Sequence, residues 1–100
     1  METSQLTKEH ILSFLRENKE FLKKEFDVDN IILFGSYARD EAVKGSDVDI
    51  LIDTKRKDFD NRFKLKELLE KEFDRKVDLL YLDSVRTFIM ECIKDELIYA

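Results

Sequence analysis

The residues able to do chemistry in this chain are aspartates set inside apolar runs. Asp47-Val48-Asp49-Ile50-Leu51-Ile52 reads as one strand and Arg75 to Leu82, with Asp78 at its middle, as another. A carboxylate in such a run is costly unless it is paired or bound to a metal. Side chains alternate along a strand, so Asp47 and Asp49 point to one face about 7 Å apart, while Val48 and Ile50 face the other way. That spacing suits two carboxylates sharing a cation. Mg²⁺ takes oxygen ligands and prefers one or two carboxylates plus substrate phosphates; in pairs it stabilises both the attacking and the leaving oxygens of an in-line displacement. Asp78 is placed to complete the cluster.

A phosphate-binding feature lies just upstream. Asn30-Ile31-Ile32-Leu33-Phe34 is a nearly all-apolar run, as expected of a strand buried on both faces, and it stops at Gly35-Ser36. A short helix over Tyr37 to Val43 is expected next, so free backbone N–H groups at its start favour an anion. Glycine lets a phosphate approach the backbone, Ser36 adds a hydroxyl, and Arg39 brings a guanidinium fork suited to phosphate. Taken singly, each feature is ordinary: a Gly-Ser turn, a solvated strand edge or Ca²⁺ site, a surface arginine, an aspartate paired with a lysine or arginine. Their joint arrangement, strand, Gly-Ser, short helix, turn, Asp-x-Asp strand and a later strand with a central Asp, is far more specific.

The remaining elements must hold these pieces. Ile11, Phe14, Leu15, Leu22 and Phe26 fall on one face of a helix running from Thr7, its N-cap, to Phe26. Lys44-Gly45-Ser46 supplies the turn before the Asp-x-Asp strand. Asp58 caps a third helix with a rougher stripe of Phe59, Phe63, Leu68, Leu69 and Phe73. Ser84 caps a fourth, in which Val85, Phe88, Ile89, Cys92 and Ile93 follow helical spacing. The order α-β-α-β-α-β-α describes a single domain over residues 1–100: an α/β (α+β) structure with a small mixed sheet of at least three strands and about four helices.

Composition narrows the function classes. With 100 residues, 43% of them hydrophobic, the chain suffices for one core and not two. Its 18 basic and 23 acidic residues give a net charge of −5, which argues against direct nucleic-acid binding by phosphate neutralisation. Cys92 is the only cysteine, so neither an intrachain disulfide nor a thiolate zinc site is expected. No apolar run approaches a membrane span, and Met1 to His10 lacks the pattern of a signal peptide, which points to the cytoplasm. Lys94-Asp95-Glu96-Leu97 spells an ER-retention signal, but it is followed by Ile98-Tyr99-Ala100 and reads as a helix end. His10 reads as a partly exposed helix residue and Cys92 as a buried small hydrophobe. Tyr37 is read either as a cover for a nucleotide or as local packing.

Gly35-Ser36, ten further residues and then Asp47-Val48-Asp49 resemble the signature of polymerase-β-like nucleotidyltransferases, and specifically of the minimal nucleotidyltransferases of prokaryotes. Phe34-Gly35-Ser36-Tyr37-Ala38-Arg39, Ser46-Asp47-Val48-Asp49-Ile50-Leu51 and Val77-Asp78-Leu79-Leu80-Tyr81-Leu82 match three blocks of that family in order, and the closing helix with Ile98-Tyr99 resembles its usual ending. The resemblance implies the nucleotidyltransferase fold, with Asp47, Asp49 and Asp78 as catalytic metal ligands for Mg²⁺, two ions being expected. It also implies nucleotide contacts from Gly35, Ser36, Arg39 and Ser46, with ATP as substrate. Small members of the family resemble the antitoxin of a toxin–antitoxin pair whose toxin is a helical HEPN ribonuclease, and transfer AMP to a tyrosine of that toxin. Two alternatives stand beside this: a module that neutralises its partner by masking, and transfer to a small molecule such as an aminoglycoside. One residue departs from the family pattern. Asp40 stands where glycine commonly follows the arginine, and it is expected either to pair with Arg39 or to continue the helix.

Overall fold

A computed structural model describes residues 6–43, 45–88 and 96–100. Their elements run α1 (Lys8–Glu17), α2 (Lys19–Phe26), β1 (Val28–Phe34), α3 (Gly35–Ala38), β2 (Val48–Thr54), α4 (Phe59–Phe73), β3 (Val77–Tyr81), α5 (Leu82–Phe88) and β4 (Ile98–Tyr99). The four strands form one mixed sheet in the order β3-β2-β1-β4. Strand β1 is antiparallel to both β2 and β4, whereas β2 and β3 run parallel. The mixed α/β architecture agrees with the sequence expectation, and β4 adds an edge that it did not contain.

Alternation along the strands divides the core in two. Val48, Ile50 and Ile52 of β2, Ile31 and Leu33 of β1, and Val77 and Leu79 of β3 pack with Ile11, Leu15, Leu22, Leu65 and Leu69 into the main core. A smaller cluster holds Ile32, Leu51 and Leu82, with Phe34, Leu80, Val85 and Leu97 against it. β1 is thus buried on both sides, as its apolar run indicates. Asp49 shares the parity of Leu51, so the strand that fills the core with alternate residues delivers a carboxylate to the thinly covered face.

Several expected boundaries are corrected. Thr7 caps α1, its Oγ1 accepting from the His10 N–H at 3.1 Å, but the helix does not run on to Phe26. Asn18 leaves helical geometry (φ −109°, ψ 15°), and its side-chain amide donates to the Phe14 carbonyl at 2.8 Å, which ends α1 and offsets α2. Asp58 does cap α4, accepting from the Asn61 N–H at 2.7 Å. The buried stripe of that helix is Asn61, Leu65, Leu69 and Phe73, at steps of one turn. Phe59 and Phe63 lie off it and are exposed, stacked on one another with ring centroids 5.9 Å apart. α5 follows β3 without a turn, so Ser84 sits inside the helix rather than capping it. Ile98-Tyr99 is strand, paired with Ile32 and Leu33. Ile89, Cys92, Ile93, Lys94 and Asp95 lie outside the described residues. Among the described residues no helix is long and apolar enough to cross a membrane.

Candidate active site

Strand register decides where the aspartates meet. β2 and β3 pair with Asp49 opposite Asp78, and β1 pairs with β2 so that Phe34 stands opposite Asp49. Residues opposite one another in a sheet face the same side, so Asp49 and Asp78 are neighbours. Asp47, expected to open the strand, lies just ahead of it, since β2 starts at Val48; its charge nevertheless reaches Asp49, and it lines one cavity with Asp78. All three sit at the end of the sheet where β1 finishes and where β2 and β3 begin.

The electrostatics show Asp78 and Asp47 acting on Asp49. Burial pushes the Asp49 carboxyl above its ordinary value, and the negative charges of Asp78 and Asp47 push it further, while Arg39 opposes them. Asp49 is half-buried; Asp47 and Asp78 are exposed. No three carboxylate, His or Cys groups among the described residues are drawn close enough to chelate an ion by themselves. The aspartates make an open face rather than a cage. Such a face fits Mg²⁺, which is commonly held by one or two carboxylates with substrate phosphates completing its shell, and the crowding of like charges at Asp49 is relieved by a cation.

Gly35 closes the other flank. Its backbone has φ +77°, and a Cβ there would lie 2.9 Å from the Asp49 Cγ and overlap the carboxylate oxygen. Both the turn and the close approach therefore demand glycine. The Ser36 carbonyl accepts from the Glu41 N–H at 2.8 Å, and its hydroxyl has no partner among the described residues. The helix from Gly35 spans only four residues, short of the expected extension to Val43. Tyr37 is buried in the main core, so local packing accounts for it.

Arg39 and Ser46 already have partners. The Arg39 Nε donates to Glu41 Oε1 at 2.9 Å and Nη1 to Glu96 Oε1 at 3.0 Å, and these two bonds raise its pKa above the ordinary arginine value. Glu96 Oε2 is buried with no hydrogen-bond partner. Ser46 Oγ accepts from the Val43 N–H at 2.9 Å and ties the loop into β2. Asp40 neither pairs with Arg39 nor continues the helix: it takes φ +62° and lies 3.7 Å from Lys8 Nζ. A left-handed backbone explains why glycine suits this position, and why aspartate, which tolerates that region better than most residues, can replace it. Sequence reasoning missed Glu41 and Glu96. Glu96 is 57 residues from Arg39, and no local spacing connects them.

Comparison with known proteins agrees with this fold. The family described as Polymerase beta, Nucleotidyltransferase matches residues 16–100. The protein adenylyltransferase MntA of Thermococcus cleftensis is 39% identical over 95 residues, which cover 94% of this chain and 96% of that protein. A candidate protein adenylyltransferase of Methanocaldococcus jannaschii is 37% identical over 97 residues, covering 93% and 97%. Among solved structures, a toxin–antitoxin crystal structure with AMP-PNP superposes with a TM-score of 0.66 at 27% identity, covering 94% of this chain and 72% of that one. A candidate minimal nucleotidyltransferase has the same fold, with a TM-score of 0.75 at 22% identity over 96% of this chain and 98% of that one. The sequence profile spans most of the chain and the relatives match it over nearly their whole length, so this protein is a nucleotidyltransferase and belongs to the polymerase-β nucleotidyltransferase family.

Proposed function

We propose that the chain is the antitoxin of a toxin–antitoxin pair and transfers AMP from ATP to a tyrosine of a HEPN-type toxin. The observation that carries the catalytic part is the meeting of Asp47, Asp49 and Asp78 beside a glycine whose missing side chain is what lets the backbone lie against Asp49. In this reading the three aspartates hold Mg²⁺, two ions in all, and Gly35 and Ser36 receive the triphosphate. Bound metal supplies charge neutralisation at the phosphates and at the attacking oxygen. The acceptor oxygen bonds to the α-phosphorus as the bond to pyrophosphate breaks, and the hydroxyl proton passes to solvent. Support for the toxin partner comes from the relatives: one is named a protein adenylyltransferase, and one structural neighbour is a toxin–antitoxin complex with AMP-PNP.

A masking antitoxin is the second reading, favoured by one observation. Arg39, the guanidinium expected on phosphate, is held by Glu41 and Glu96 instead. Dose separates the two. A substoichiometric amount of the chain, with ATP and Mg²⁺, is expected to inactivate a many-fold excess of a cognate toxin, and the toxin gains the mass of AMP. The Asp47→Asn, Asp49→Asn double variant is expected to lose that activity while still binding. Protection that needs one chain per toxin, with no mass gain and no effect of the double variant, would establish masking.

A further inference from the structure

The catalytic end of the sheet has two flanks, and strand order separates them. Across the sheet come the end of β1 with Gly35, then Asp49 on β2, then Asp78 on β3. Beyond Asp78, where β3 starts against α4, an open cavity of about 400 Å³ is lined by Asp47, Asp78, Val77, Glu70, Lys66 and Lys76. Glu70 is committed to the fold, its Oε2 accepting from the Val77 N–H at 2.9 Å. Lys66 and Lys76 have no ion-pair partner among the described residues. Two free ammonium groups thus stand in a cavity that shares two walls with the acid cluster.

In-line displacement puts the attacking and leaving oxygens on opposite sides of phosphorus. This step rests on the proposed function: if the triphosphate lies on the Gly35-Ser36 flank, pyrophosphate departs there, and the attacking hydroxyl must come from the Asp78 flank. We infer that the cavity between β3 and α4 is the acceptor subsite, and that Lys66 and Lys76 recognise acidic residues flanking the hydroxyl of an acceptor protein segment. Once a cation offsets Asp47 and Asp78, the two lysines outweigh the single remaining carboxylate, Glu70, and leave the cavity positive.

Nitrogen-15 NMR tests this with two blocked peptides, Glu-Glu-Tyr-Glu-Glu and Lys-Lys-Tyr-Lys-Lys, titrated into the full chain with Mg²⁺. The acidic peptide is expected to move the amides of Lys66, Glu70, Lys76 and Val77, and the basic peptide is not. The chain's net charge of −5 works against non-specific binding of the acidic probe. In the Lys66→Gln, Lys76→Gln double variant the acidic peptide is expected to bind about tenfold more weakly, with AMP-PNP affinity unchanged. Equal binding by wild type and variant, no response to the acidic peptide, or loss of AMP-PNP affinity in the variant, which would give the cavity to the triphosphate, each overturns the inference. Failure of wild type to bind AMP-PNP overturns the transferase reading and with it the acceptor role of the cavity, whereas failure of the peptide shifts with AMP-PNP binding intact overturns the acceptor role alone.

Discussion

Strand β2 carries two half-buried aspartates of the same parity, Asp49 and Asp53, and the molecule treats them differently. Asp53 stands opposite Asn30 of β1, and its Oδ2 accepts from the Asn30 side-chain amide at 3.1 Å. Asp49 stands opposite Phe34 on one side and Asp78 on the other, with no hydrogen-bond donor among the described residues. One carboxylate is satisfied by the fold. The other is raised in pKa by burial first and by the charges of Asp78 and Asp47 next, so a cation beside it is favourable. The unmet charge at Asp49 is what supports the proposed metal site there.

The largest expected effect separates the two acids. Asp49→Asn should lower nucleotidyl transfer by more than about 100-fold, since losing even an outer-shell partner of a metal typically costs about 10–100-fold. Asp53→Asn should leave transfer within about threefold, because the amide of Asn30 can pair with another amide. Comparable losses in both variants, measured with labelled ATP, would erase the distinction.

Gly35→Ala probes the same carboxylate from the neighbouring strand. A methyl group at positive φ collides with Asp49, so stability should fall by about 2 kcal/mol or more, with activity lost even where the fold survives. Denaturant unfolding checks the first part. An alanine variant as stable and active as wild type would mean that the close approach is not required.

The pH dependence of stability gives a smaller effect with a definite sign. The folded state holds the Asp49 proton more tightly than the unfolded chain does, so ionisation of this group opposes folding above the raised pKa. That opposition is absent below its ordinary value of 3.8. Asp49→Asn should therefore raise the Tm by a few degrees at neutral pH without metal, and the gain should shrink to nothing as the pH falls toward that value. A Tm rise for Asp49→Asn that persists unchanged at acid pH would contradict the charge-crowding account.

The smallest effect lies outside the cluster. Asp40→Gly should stabilise the chain by about 0.5–1 kcal/mol, because glycine takes the observed φ of +62° without strain. Transfer activity should stay the same, since the Asp40 side chain faces Lys8 rather than Arg39.

These contrasts also show what the amino-acid order carries. Asp49 was legible because a carboxylate inside an apolar strand stands out, and Asp47 because it lies two residues away, although the strand begins only at Val48. The meeting with Asp78 followed from the smallness of the sheet, and Gly35 from the end of an apolar run. The partition between Asp49 and Asp53 was not legible, because it depends on cross-strand register with Asn30. The break at Asn18 was hidden by apolar residues on both sides that kept a helical rhythm. Phe59 and Phe63 differ from expectation for a related reason, since phase and not hydrophobicity decides burial: Leu65, Leu69 and Phe73 face the core and Leu68 packs against it. The hold of Glu96 on Arg39 joins distant segments, which local pattern does not reach.

Calorimetric titration of AMP-PNP with Mg²⁺ into wild type, Asp49→Asn and Asp53→Asn tests the central claim without needing a partner protein. Binding is expected to depend on Mg²⁺ in wild type and Asp53→Asn, and to be lost in Asp49→Asn. Binding that ignores Mg²⁺ and survives Asp49→Asn unchanged, or that fails equally in both variants, would contradict it.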